Sequence, residues 1–149
     1  MHENEKEFLL FYMDQCWQEM RHLENLRERI TLMLVTIATA TIGFMIQQKF
    51  SSETFPLPLI VIGIGIFGIL ATLKIFQVHQ MAQRRLDNWY TYLKECCGDD
   101  AKILELRDEA DAKNRLEFPM IRQLPHNYIW TGIHAFIVIA GFLLLSRYK

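Results

Sequence analysis

The stretch FPLPLIVIGIGIFGILATL, residues 55–73, decides the fold. It carries no charged side chain, with Glu53 just before it and Lys74 just after. A hydrocarbon core roughly 30 Å thick is crossed by about 17–25 helical residues. Inside that core every backbone polar group must be satisfied internally, which a helix does without help. One such run in a chain of 149 residues is compatible with a buried core helix. Two further runs argue against it. Ile30 to Ile46 is closed by Gln47-Gln48-Lys49, and Tyr128 to Leu145 lies between His126 and Arg147. The sequence therefore predicts an all-α integral membrane protein with three transmembrane helices, at 30–46, 55–73 and 127–146.

The composition hides this pattern. Hydrophobic residues make up 51% and charged residues 22%, as in a soluble protein, because the charges are collected between the apolar runs. The formal net charge of -1 gives no global field to steer nucleic acid, which is not expected as a partner. Charge placement is more informative. Lys6, Arg21, Arg27 and Arg29 precede the first run, and nine Lys or Arg fall between Lys74 and Arg122. The loop 47–54 holds only Lys49, and the tail 147–149 holds Arg147 and Lys149. By the positive-inside rule the N-terminus and residues 74–126 face the cytoplasm, and the loop and C-terminal tail face the other side. Tyr128, Trp130 and Tyr148, with Phe50 and Phe55 at the short loop, stand where interfacial aromatic rings are expected.

Residues 1–29 read as a cytoplasmic amphipathic helix that enters the first span without a break. Leu9, Tyr12, Cys16, Leu23, Leu26 and Ile30 recur in helical steps, broadened by Met13, Trp17 and Met20. Residues 74–97 repeat the pattern with Leu86, Trp89, Tyr90, Leu93 and Cys97. The short loop makes the two spans a hairpin, so the two extensions lie antiparallel in the cytoplasm. Their combined apolar face, notably Tyr12, Trp17, Leu23, Leu86, Trp89, Tyr90 and Leu93, is too wide for two helices to hide, so the surplus must meet helix 101–116 or copies of the same chain, and a homo-oligomer is expected. Residues 98–126 read as a charged helix near 101–116 followed by a linker with Pro119 and Pro125, which forbid a continuous helix there.

Several motifs have competing readings. Gly63-Ile64-Gly65-Ile66-Phe67-Gly68 has the spacing of a dinucleotide fingerprint, but that motif follows a strand and opens a helix. Inside an apolar span, Gly63, Gly65 and Gly68, with Gly43 in the first span, serve close helix packing. Thr31, Thr36, Thr39 and Thr41 give the first span a polar character. Their hydroxyls either bond back to helix carbonyls, or Thr36 and Thr39 line a water-filled path. His134 is the titratable group well inside a span, a functional-site hypothesis in lipid; the plainer alternative is a neutral imidazole bonded to a neighbouring helix. Cys16, Cys96 and Cys97 form no CxxC pair and no Cys/His cluster with metal-ligand spacing, leaving packing or, for the adjacent pair, a redox or metal role. No cofactor, metal or catalytic residue is expected, and the chain does not read as an enzyme.

The layout as a whole is informative. A helix carrying Tyr12, Trp17, Arg21, Arg27 and Arg29 enters a short hairpin, and a helix with Arg84, Arg85, Trp89 and Tyr90 leaves it. Over roughly residues 8–97 this resembles the small helical oligomeric membrane proteins of bacterial phage-defence and stress operons. The resemblance implies a bacterial inner-membrane location, self-assembly and a sensor or effector role. That role would alter permeability or relay a signal, with a cytoplasmic protein as a further partner. The alternatives are a constitutive channel or transporter subunit, with His134 and the threonine face lining the path, and a passive anchor for a soluble protein.

Overall fold

The computed structural model describes residues 3–97, 109, 112 and 126–148. Three long helices account for nearly all of them: α1, Glu3–Gln47; α2, Leu57–Cys97; and α3, His126–Leu145. Among the described residues there is no strand. All three helices are long and apolar enough to cross a membrane. The expected helix near 101–116 and the proline linker lie outside the described residues, apart from helical positions 109 and 112.

α1 runs 45 residues without interruption because it contains no proline and meets its first glycine only at Gly43. It ends in a hydrogen-bonded cap. The Phe50 N–H donates to Met45 O (3.1 Å) and the Lys49 N–H to Ile46 O (3.0 Å), the paired bonds of a Schellman motif. Lys49 and Phe50 have φ of 52° and 55°, which side-chain-bearing residues adopt at a cost of about 1–2 kcal/mol each. Phe50 packs into the cluster around Met45, the apolar contact that accompanies this cap. α2 then starts with Pro58 in its first turn, where a missing N–H costs nothing.

The chain forms two compact units, Met1–Leu23 with Val78–Pro125 and Glu24–Gln77 with His126–Lys149. In the second unit, α2 meets α3 through small residues. A Cβ on Gly65 would lie 2.9 Å from the Val138 backbone nitrogen and 3.0 Å from His134 O. One on Gly141 would lie 3.1 Å from Ile62 N and 3.2 Å from Pro58 O. The pairings Gly68–His134, Gly65–Val138 and Gly141–Ile62 make α2 and α3 antiparallel. Arg27–Trp130 and Thr31–His134, at a constant offset, make α1 and α3 parallel. Ala38, Met45, Val61 and Ile137 form the apolar core. At one end Tyr148 packs edge-on to Phe50 and Phe55 (centroids 6.0 and 5.7 Å) and shares a 2.6 Å hydrogen bond with Thr54. Tyr128 and Trp130 stand at the other end of α3, whose 20 residues rise roughly 30 Å, one hydrocarbon thickness.

In the first unit, Met13, Cys16 and Met20 of α1 pack on Ala82 and Leu86 of α2. Leu9, Trp89, Tyr90 and Leu93 border this core. The Tyr12 and Trp89 rings lie 5.1 Å apart.

One feature of the sequence reading needs correction. Leu26 and Ile30 were expected on the buried stripe, yet α1 buries Met20, Arg27, Thr31 and Leu34, and Leu26 is 37% exposed. On α2, Pro58, Val61, Gly65, Gly68, Thr72 and Ile75 are buried in alternating steps of three and four, the 3.5-residue repeat of packed helices. In an apolar run this phase is invisible, since the lipid-facing side is as hydrophobic as the interior.

Candidate functional site

The second unit buries a set of polar side chains. α1 supplies Arg27 and Thr31, four apart, and α3 supplies Asn127, Thr131 and His134 in steps of four and three. Residues so spaced stack on one helix face. Arg27 and Asn127 are each 6% exposed, and His134 is fully enclosed.

His134 is held by all three helices. Its Nε2 lies 3.2 Å from Thr31 Oγ1, with donor and acceptor set by the imidazole tautomer. The ring lies against Gly68 of α2, where an added Cβ would stand 2.5 Å from Cε1 and Cγ. Thr31 is itself 3% exposed, so this bond is dry. One turn toward the start of α3, the Arg27 guanidinium carbon lies 5.1 Å from the Trp130 ring centroid, a cation–π contact. Burial disfavours the charge on Arg27, and the carboxylate of Glu24, one turn earlier, partly offsets this. Arg27 Nε, Asn127 Oδ1, Thr131 Oγ1 and His134 Nδ1 are buried without a hydrogen-bond partner among the described residues. A group left so costs about 1–3 kcal/mol, more when charged.

Beside this cluster, between α1 and α3, runs an apolar groove of about 430 Å3 lined by Val35, Ala38, Thr39, Ile42, Gly132, Ile133, Phe136, Ile137 and Ala140.

The residues singled out from sequence fall in different places. His134 is at the centre of the polar set, but Thr36 and Thr39 are exposed and do not join it. Thr36 donates to its own helix at Leu32 O (2.8 Å), as does Thr41 to Ile37 O (2.8 Å). The threonine that meets His134 is Thr31, because position 36 is turned about 140° from it around α1. Gly65 and Gly68 sit at the close α2–α3 approach. Gly43 and Gly63 do not, since a Cβ on either meets nothing within 4 Å. In the first unit Leu86 is core, Trp89, Tyr90 and Leu93 border it, and Leu23 is half-buried. Tyr12 stacks on Trp89 while 37% exposed. Trp17 faces outward, 43% exposed. Cys16 is a free thiol in the core, consistent with the packing reading; the side chains of Cys96 and Cys97 lie outside the described residues. Among the described residues no three His, Cys, Asp or Glu side chains gather as metal ligands.

Sequence reasoning missed Arg27, Asn127 and Thr131. A signal for Arg27 existed. It lies four residues after Leu23 and four before Thr31, in line with Met13, Cys16 and Met20 and off the charged face.

In comparison with known proteins, the chain matches no family model, no curated protein and no solved structure.

Proposed function

We propose that this chain is a three-span membrane protein that assembles with copies of itself through the hairpin of its first unit. The observation that carries this reading is an exposed aromatic face on a strongly charged stretch. Phe8 (62% exposed) and Phe11 (57%), three apart on one face of α1, share residues 5–24 with Glu5, Glu7, Asp14, Glu19, Arg21 and Glu24. That charge density keeps the stretch out of hydrocarbon, and large apolar rings left together in water mark an interaction site. An apolar groove of about 410 Å3, lined by Glu5, Phe8, Leu9, Tyr12, Trp89 and Tyr92, offers the receiving surface. α1 and α2 each continue unbroken from the apolar run into this charged part, which suits a device that relays a change between membrane and hairpin. The Lys and Arg distribution supports an inner-membrane protein with the hairpin in the cytoplasm, and the layout likeness extends the proposal to a phage-defence sensor or effector.

Mass measurement in detergent tests the assembly. The wild-type chain is expected as a multimer and Phe8→Ser/Phe11→Ser as a monomer with unchanged helicity. A monomeric wild-type chain overturns the reading. For the wider role, the chain is expected to lower phage plating efficiency, an effect lost in the same double variant.

A further inference from the structure

We propose that the groove between α1 and α2 in the first unit is an aromatic cage that binds a soluble quaternary-ammonium compound. The inference goes beyond the assembly reading and does not require it. Where both hold, a second copy and the cation compete for this groove.

The helix register builds the site. Glu5, Phe8 and Tyr12 follow in steps of three and four on α1, and Trp89 and Tyr92 lie three apart on α2, so each set shares one helix face. Tyr12 joins the two sets, its ring centroid lying 4.9 Å from that of Phe8 and 5.1 Å from that of Trp89. The ring planes are inclined by 61° and 52°, so the rings make a concave wall and not a flat stack. Leu9, packed against the core of the unit, completes the lining. The space of about 410 Å3 falls in the range of roughly 300–1,000 Å3 typical of small-molecule sites.

The chemistry of the wall selects a cation. The face of an aromatic ring is the negative end of its quadrupole, and a cation within about 6 Å of the centroid is attracted to it. Phe8, Tyr12, Trp89 and Tyr92 supply rings, and among the described lining residues the charged group is the Glu5 carboxylate. An uncharged apolar ligand would gain from the rings and nothing from Glu5, and an anion would be repelled by both. A primary ammonium carries three N–H donors and a tight hydration shell that ring faces do not replace. A quaternary ammonium has no N–H to satisfy and presents only methyl groups to the rings, the match such cages exploit.

The wall is open to this ligand, since Phe8, Tyr12 and Tyr92 are exposed. Glu7, Asp14, Glu19, Arg21 and Glu24 belong to the same stretch of α1, a charge density that keeps it in water. The ligand therefore arrives as a solute and not as a lipid headgroup.

Isothermal titration calorimetry of the full chain in maltoside micelles, which carry no ammonium group, tests the proposal with choline as the probe. Choline is expected to bind about tenfold more tightly than dimethylbutanol, the uncharged isostere in which carbon replaces the nitrogen. Glu5→Gln and Tyr92→Leu alter exposed positions and are each expected to keep the helicity and bind choline several-fold more weakly. Phe11→Ser lies outside the groove lining and is expected to keep at least the wild-type affinity. Equal affinity for choline and dimethylbutanol overturns the proposal, as does wild-type affinity in either cage variant. Preference for phosphatidylcholine over choline overturns it in favour of a lipid headgroup. Mass in detergent without ligand reports assembly separately. A monomeric wild-type chain that binds choline refutes the assembly reading alone, and a multimer that binds choline no better than dimethylbutanol refutes the cage alone.

Discussion

Gly68→Ala puts the arrangement around His134 to a quantitative test. The new methyl would stand 2.5 Å from Cε1 and Cγ of a ring that is fully enclosed and bonded to Thr31 on its other side. Forcing extra volume into a packed interior costs about 1–3 kcal/mol. Displacing the ring also breaks the Thr31 bond, for about 0.5–1.5 kcal/mol. Against these, alanine exceeds glycine in helix propensity by about 1 kcal/mol. The sum is a net loss of about 0.5–3.5 kcal/mol. In a His134→Ala background the ring is gone and only the propensity gain remains, so the same substitution should stabilise by about 1 kcal/mol. The coupling between the two positions is then at least roughly 1.5 kcal/mol, within the range for residues in direct contact. Unfolding by sodium dodecyl sulfate in mixed micelles, followed by helicity, measures all four variants. A Gly68→Ala effect of the same sign and size in both backgrounds would refute the contact.

Other expectations follow from single contacts. Thr31→Val should destabilise by about 0.5–1.5 kcal/mol in the same assay, while Thr36→Val stays within experimental error, because Thr36 bonds only its own helix. Tyr148→Phe keeps the ring packing on Phe50 and Phe55 but loses the 2.6 Å bond to Thr54, a loss of about 1 kcal/mol read by thermal unfolding. Gly65→Leu meets backbone atoms of Val138 and His134 and should abolish compact folding, judged by protease resistance in detergent. A Cβ on Gly63 meets nothing within 4 Å, so Gly63→Ala should leave the monomer's protease pattern unchanged.

The three helices were legible because each apolar run is long and its ends are marked by charge or aromatic rings. The hairpin between the first two followed from the shortness of the loop around Ser52. Helix phase was harder to read. In water an apolar residue points inward, so Met13, Cys16 and Met20 revealed their face. Farther along α1 the outer face has no such preference, so Leu26 and Ile30 continue the apolar stripe in sequence while Arg27 and Thr31 take the buried positions, Leu26 being exposed and Ile30 half-buried. His134 stood out as an ionisable group in an apolar run. Its partner did not, because four threonines along α1 are equivalent until a neighbouring helix selects one. Asn127 reads as a helix-start residue in sequence, and only the packing of α3 shows it enclosed.

Three helices long and apolar enough to cross a membrane make the sidedness of their ends directly testable. Single cysteines at Ser51, Arg147, Asp14 and Asp87, in a chain with Cys16, Cys96 and Cys97 replaced, can be probed in intact cells with a membrane-impermeant maleimide. Labelling of positions 51 and 147 from outside, with 14 and 87 labelled only after lysis, is the expected result. Equal labelling of all four positions without lysis, or of none until lysis, would contradict it.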